Sequence, residues 1–126
     1  MSAFEYVRDD AARCIRITVH RTLSLDEALA LIDRQVEERA WTFGVLCDIR
    51  TLRVPPAKAD IDAIAAHVFR YLITNGPRGP VAFVTSCPNI VGPFQGYSYV
   101  VGRADANAQV FWDLHEAETW LSRQLH

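Results

Sequence analysis

The chain has 126 residues, of which 50% are hydrophobic and 22% are charged, and its formal net charge is -2 at pH 7. This length and balance are typical of one globular domain, here residues 1–126, and exclude a disordered or repetitive chain. The small negative charge gives no general attraction to polyanions, so no nucleic-acid partner is expected. No apolar stretch approaches the ~20 residues that cross a bilayer, and no leader pattern opens the chain, so we expect a cytoplasmic protein without a membrane span.

The first third of the chain predicts two strands and a helix. "FEYVRD" (4–9) is a possible edge strand, and "CIRITVH" (14–20) alternates apolar and polar residues, as a strand with one solvated face does. "LSLDEALALIDRQVEERA" (23–40) places its apolar residues at spacings of three and four, which predicts one helical stripe. Ser24 and Glu27 form the pattern of a capping box at its start.

The middle of the chain predicts two buried strands around a second helix. "FGVLCD" (43–48) is short and nearly all apolar, which is typical of a central strand covered on both faces. Pro55 and Pro56 predict a loop, after which apolar residues at helical spacing indicate a helix that ends near Asn75 and Gly76. "PVAFVT" (80–85) is the next buried strand.

The last third predicts two more helices around one strand. We expect a helix over residues 94–101, a strand at "AQVFW" (108–112), and a final helix at "LHEAETWLSRQL" (114–125) with Asp113 as its cap. The resulting order ββαβαβαβα predicts an α/β fold. Its sheet should be mostly parallel with an antiparallel N-terminal edge strand, and right-handed crossovers should place most helices on one face.

These elements resemble the SpoIIAA-like group, which is related to the STAS domains of anti-sigma-factor antagonists and, more distantly, to the lipid-binding CRAL-TRIO fold. The resemblance spans nearly the whole chain. It is carried by the opening strand pair, "LSLDEALALID", "VLCDIRTL", "GPVAFVT" and "VFWDLHEAETWL".

The resemblance implies a non-enzymatic regulatory module that binds another protein or a second copy of itself. In phosphorylated antagonists, the turn after the strand matching "VLCD" carries an aspartate followed by serines, one of which is phosphorylated. Here Asp48 matches, but the serines are missing, and Thr51 is the nearby hydroxyl beside Arg50. The resemblance therefore implies a module without the serine switch. The CRAL-TRIO similarity implies the alternative of a carrier for a small apolar ligand or lipid.

A third alternative is an enzyme that uses Cys87 at the carboxyl ends of the strands, where His20 and Asp48 are also expected. The predicted strand order separates His20 from Cys87 by one strand, so direct contact between them is not expected. Pro88 and Asn89 after the cysteine are typical of a turn that starts a helix. A structural thiol is therefore the preferred interpretation of Cys87, and Asn89 stays a candidate binding residue.

Arg50 and Arg53 are candidate anion-binding residues because they precede the second predicted helix. Free backbone N–H groups and the helix dipole favour a phosphate or carboxylate at such a position. The preferred alternative is two solvated loop arginines that pair with Asp48 or Asp60.

The third predicted helix is apolar nearly all round. Phe94, Tyr97 and Val101 share one side, whereas Tyr99 and Val100 point elsewhere. Such a helix packs in the core, meets a second copy or covers an apolar ligand. Phe94 and Tyr97 are therefore candidate binding residues.

Neither the cysteines nor the histidines form a cofactor motif. The three cysteines are odd in number and far apart, which predicts reduced, mostly buried thiols. The histidines form no close pair and are expected at the surface, so we expect no metal site and no cofactor. The residues concerned are Cys14, Cys47, Cys87, His20, His67, His115 and His126.

Overall fold

The computed structural model describes residues 2–125, and Met1 and His126 lie outside the described residues. Its elements follow the order ββαβαβαβα, which confirms the predicted α/β fold. The strands are β1 (Phe4–Asp9), β2 (Cys14–Val19), β3 (Gly44–Asp48), β4 (Val81–Val84) and β5 (Ala108–Phe111). The helices are α1 (Leu25–Glu37), α2 (Lys58–Asn75), α3 (Pro88–Gly102) and α4 (Leu114–Leu125).

The strands form one sheet in the order β1-β2-β3-β4-β5. β1 pairs antiparallel with β2, and the other neighbours are parallel, as expected for strands joined by helical crossovers. Ile17 lies opposite Cys47, and Cys47 lies opposite Phe83, so the central strands are in a common register. The carboxyl ends of β2 to β5 therefore share one edge, the carboxyl edge, and their amino ends share the opposite amino edge.

The helices cover the two faces of the sheet unequally, as the prediction of helices mainly on one face requires. The alternate residues Val45 and Cys47 belong to the core under α1, α2 and α3, whereas Leu46 packs in a smaller cluster with Ala117 and Leu121 of α4. This division follows from the period of two along a strand. Burial on both faces explains why β3 has no polar alternation in its sequence.

The ends of the helices follow from local chemistry. Ser24 and Glu27 form the predicted capping box at the start of α1, with both reciprocal hydrogen bonds present. Gly76 ends α2 with a φ of 79°, a left-handed conformation that favours glycine. Asp113 accepts a hydrogen bond from the backbone N–H of Glu116 at 3.3 Å, as predicted for the start of α4.

Helix α3 is longer than the predicted range 94–101, because it begins at Pro88 with Cys87 as its N-cap residue. Proline is well tolerated at the first helical position, where its missing N–H would have no intrahelical acceptor. Pro93 lies inside the helix and cannot donate to the carbonyl four residues earlier. Ile90 and Val91 lie within that weakened turn and are buried, so tertiary packing stabilises it.

Candidate functional site

The structure does not assemble the candidate catalytic set at the carboxyl edge. β3 lies between β2 and β4, so His20 and Cys87 are separated by two strand spacings, or about 10 Å. The imidazole Nε2 of His20 lies 3.4 Å from Glu5 Oε2. The backbone N–H of Cys87 donates to the Thr85 hydroxyl at 3.2 Å, which holds the start of α3. The edge thus offers no thiol–imidazole contact between these two residues.

Asp48 and Arg50 form a two-pronged ion pair at the same edge. Arg50 donates from Nε and Nη2 to the two carboxylate oxygens of Asp48 at 3.0 and 2.8 Å, and its backbone N–H donates at 3.1 Å. Burial by itself raises the pKa of Asp48, but these hydrogen bonds and the charge of Arg50 outweigh it, so the pKa lies below its ordinary value. The charge of Arg50 is therefore already met by a carboxylate.

The other polar side chains of that turn donate hydrogen bonds to nearby backbone carbonyl oxygens. Arg53 donates from Nη1 to the carbonyl oxygens of Arg50 and Leu52 at 2.6 and 3.0 Å. The Thr51 hydroxyl donates to the carbonyl oxygen of Val19 at the end of β2. The geometry matches the alternative of loop arginines that serve the turn, and the roles of Thr51 and Arg53 in binding stay predictions.

All three cysteines are free thiols. Burial raises the pKa of the Cys47 thiol to about 12 and also raises that of Cys14, so these two groups are neutral at physiological pH. Thiolate chemistry is therefore not expected at either position.

A larger, shallower cleft of about 420 Å³ lies between α2 and α3, and a cavity of about 140 Å³ lies between the sheet and the three helices α1, α2 and α3. Engineered apolar cavities of comparable size, ~150 Å³, bind benzene. The walls are apolar residues of the central strands and of α1. They include Ile15, Ile17, Val19, Val45, Ile49, Val81, Phe83, Leu25, Ala28, Leu31 and Ile32. We call this space the sheet–helix cavity.

The sheet–helix cavity extends from one edge of the sheet to the other. Thr22 and Ser24 line it at the carboxyl edge and are exposed, so they mark its opening. Gln35 lines it near the end of α1, and Arg78 lines it just before β4, at the amino edge. Leu25 and Gln35 are separated by ten residues of helix, so the lined part of α1 is about 15 Å long.

Arg78 and Gln35 form the polar end of the cavity. Arg78 donates from Nε and Nη2 to Gln35 Oε1 at 3.1 and 2.7 Å, and Gln35 in turn donates to the Ala40 carbonyl at 2.9 Å. The guanidinium also lies over the Trp41 ring, 5.0 Å from its centroid. Gln35 is only 2% exposed. This chain of contacts holds the arginine in one position.

The surroundings of Arg78 contain no compensating acid. Among residues 2–125, no carboxylate oxygen lies within ion-pair distance of its guanidinium, and the groups that perturb it are Tyr97 and Cys47. Burial lowers the pKa of Arg78, with Tyr97 opposing the shift. An arginine still keeps its proton under such conditions, because its ordinary pKa is above ~12. A positive charge therefore lies at the inner end of an apolar cavity.

Phe94 and Tyr97 of α3 line the same cavity, so the structure brings two of the predicted binding residues to it. Phe83 contacts both rings, with centroid distances of 4.8 and 5.8 Å. Burial also raises the pKa of Tyr97, so its phenol is a neutral hydrogen-bonding group beside Arg78. Asn89 is exposed in the first turn of α3 and does not line the cavity.

Sequence reasoning missed Gln35 and Arg78, the two polar residues at the amino-edge end of the cavity. One signal was present, because Gln35 stands three residues after Ile32 and continues the apolar stripe of α1. A polar residue on a buried stripe needs a hydrogen-bond partner. Arg78 gave no signal, since it lies in the loop "NGPRGP" and its partner Gln35 is 43 positions away.

A second polar cluster joins α1 to α2 outside the cavity lining. Asp33 Oδ1 lies 2.7 Å from His67 Nε2 and accepts from the Tyr71 hydroxyl at 2.6 Å. The hydrogen bond from Tyr71 is the main reason that the pKa of Asp33 is lowered. The side chain of His67 is 18% exposed, so it is half-buried between α1 and α2 and keeps part of the surface exposure expected from the sequence.

No group of three or more histidine, cysteine or acidic side chains within residues 2–125 is arranged to hold a metal ion. In that part of the chain, no helix has both the length and the apolar character needed to cross a membrane.

No family model matches the sequence, and no curated protein matches it either. The SpoIIAA-like and STAS resemblance therefore stays a prediction from the sequence.

Proposed function

We propose that this protein binds a small apolar molecule in the sheet–helix cavity. The observation that carries the proposal is an apolar space of about 140 Å³ inside the main core, open at the carboxyl edge and with a polar group at its inner end. Concave apolar sites with a few placed polar groups are typical of small-molecule binding. This is the carrier alternative that the CRAL-TRIO similarity implied.

The energetics of the cavity support the proposal. The side chains that line this space have no van der Waals partners on the side that faces it. A ligand of matching shape restores the lost van der Waals contacts and removes its own apolar surface from water. Binding an apolar molecule would therefore stabilise the folded state.

The interaction-module interpretation rests on the sequence resemblance and stays a prediction, as does a homodimer. The exposed residues Tyr99 and Val100 on α3 are the first place to test it, since they are 70% and 44% exposed. Tyr99 lines neither cavity, whereas Val100 shares the cleft between α2 and α3 with Tyr97, so Tyr99 is the residue that separates the two functions.

Methyl-resolved NMR of the whole protein, titrated with 1-octanol, tests the proposal. We expect saturable shifts of the methyl groups of Ile17, Ile32 and Val45, which line the cavity, and no shift at Ile73, which is 85% exposed. This measurement needs no variant. Absence of shifts at the three lining residues would overturn the proposal.

A matched pair of variants on α1 localises the binding. Ala28 lines the cavity, whereas Ala30 is exposed and does not line it. Ala28→Phe fills the space and should weaken 1-octanol binding at least about tenfold, while Ala30→Phe should leave it unchanged. Equal losses in both variants would place the bound alcohol elsewhere.

A further inference from the structure

We infer that Arg78 selects a ligand with a carboxylate head and an apolar alkyl or aryl body, an inference that rests on the proposed function. The head would pair with the guanidinium at the amino edge, and the body would lie along the sheet–helix cavity towards the opening. Four observations support this assignment: unused donors, a missing counter-charge, the shape of the space, and a fixed arginine.

The guanidinium has donors to spare. It carries five N–H groups, of which Gln35 accepts from Nε and Nη2 and the Tyr97 phenol is a further hydrogen-bonding neighbour, so two groups at most remain unused. Among residues 2–125, no fully buried side-chain nitrogen or oxygen lacks a hydrogen-bond partner. Any unused Arg78 nitrogen therefore keeps some accessible surface, and Arg78 is part of the cavity lining. A ligand in the cavity can reach these donors.

The charge of Arg78 has no acidic partner within the described residues. Arg78 is half-buried, and a charge that is partly removed from water usually has a partner, because desolvation is expensive when nothing of opposite sign compensates it. Gln35 supplies a dipole and Trp41 supplies a ring face, and both are weaker partners than a carboxylate. A ligand carboxylate would complete the missing half of an ion pair.

The shape of the space favours one charge with an apolar body. One guanidinium neutralises one carboxylate, and the planar fork of arginine matches its two oxygens. The walls between Arg78 and the opening are apolar, and the acidic residue that lines the cavity, Asp60, is in the first turn of α2 at the carboxyl edge. That placement disfavours an anionic head at the opening and favours one at Arg78.

Head-group selectivity tests the inference, because a merely structural arginine would not produce it. Calorimetric titration compares octanoate with octanamide, which share the alkyl body and differ in charge. Wild-type protein should prefer octanoate at least about tenfold, the range of a hydrogen-bonded charge pair. Arg78→Met should abolish this preference and still bind octanamide. Arg50→Met should keep the preference, because Arg50 already pairs with Asp48.

The outcomes separate the inference from the proposed function. Equal binding of octanoate and octanamide by the wild type would overturn the role of Arg78 and leave the cavity as an apolar site. Failure of both compounds to bind would overturn both proposals. If Arg78→Met does not fold, NMR of the wild-type protein tests the inference instead, through the Nε–H resonance of Arg78. It should shift with octanoate and stay in place with octanamide, and equal responses would contradict the inference.

Discussion

Arg50 and Arg78 lie at opposite edges of the same sheet and differ in what surrounds their charge. Arg50 follows β3 at the carboxyl edge, is 47% exposed, and makes two hydrogen bonds to the carboxylate of Asp48. Arg78 precedes β4 at the amino edge, lines an apolar cavity, and contacts the neutral side chains of Gln35, Trp41 and Tyr97. The charge of Arg50 is therefore compensated by a carboxylate of the same chain, whereas the charge of Arg78 has only neutral partners among the described residues.

This difference shows that the arginine with no acidic partner within residues 2–125 lies at the edge of the sheet opposite to the one where ligands usually bind. Ligands of parallel α/β sheets commonly bind at the carboxyl edge, which is where the sequence directed attention. There, Arg50 is paired with the neighbouring carboxylate of Asp48, and Arg53 donates to two carbonyl oxygens of its own turn. At the amino edge, the positively charged Arg78 lines an apolar cavity, and this arrangement is the basis of the proposed ligand site.

The largest expected effect on stability comes from Gly79→Ala, which disrupts the loop at the amino edge of the sheet. A Cβ atom at Gly79 would overlap the backbone carbonyl oxygens of Phe43 and Thr42, so the loop that places Arg78 would have to move. We expect the free energy of unfolding, measured in urea, to fall by about 3 kcal/mol. Gly96→Ala is the control, because no atom lies within 4 Å of its added Cβ and helix propensity should stabilise it by about 0.5–1 kcal/mol. Equal stability of the two variants would contradict the close approach at Gly79.

An intermediate effect is expected when Arg78 loses its acceptor. Gln35→Leu removes both the oxygen that accepts from Arg78 and the donor to the Ala40 carbonyl, so unfolding free energy should fall by about 2 kcal/mol. Adding Arg78→Met should recover about 1 kcal/mol, since the half-buried charge is then gone. A double-mutant cycle in urea measures this coupling. Strictly additive losses would show that the Gln35–Arg78 contact carries no energy of its own.

The smallest effect is expected at the completed pair, through Asp48→Asn. The pKa of Asp48 is lowered in the folded state, so its contribution to stability is present above the unfolded-state pKa and is lost as the pH falls through the folded pKa. At about pH 7 the variant should lose about 0.5–1 kcal/mol, and the difference should shrink towards about pH 3. Urea unfolding at both pH values checks this.

Asp62→Asn is the matched control for that prediction. Asp62 pairs with Lys58 on the surface of α2, where the two side chains are 65% and 89% exposed. Its loss should cost no more than about 0.5 kcal/mol. A difference between wild type and Asp48→Asn that grows towards low pH would contradict the assigned direction of the pKa shift.

Local chemistry made much of the fold predictable from sequence. The capping box of Ser24 and Glu27 and the left-handed Gly76 depend on residues within one helical turn, and both are present. The alternation in "CIRITVH" likewise predicted which side of β2 is buried. The start of α3 was predicted too late, because Pro88 and Pro93 resemble loop residues until the packing of Ile90 and Val91 is known.

Of the residues that line the candidate site, only the aromatic ones on α3 were predicted from the sequence. Phe94 and Tyr97 were recognisable because an apolar helix face must cover something. The cavity itself depends on how three helices and a sheet leave space between them, which no local pattern encodes. His67 shows the same limit, since its partner Asp33 is on another helix.

By itself, the sequence determined the fold class, the order of the elements and most helix ends, because periodicity and capping act over a few residues. The tertiary structure alone decided that Arg78 meets Gln35 beside an apolar cavity and that Asp33 of α1 meets His67 of α2. The physical reason is the separation along the sequence between the residues that come into contact. A charge is strong or weak according to the solvent and partners around it, and distant segments of the chain supply these only when it folds.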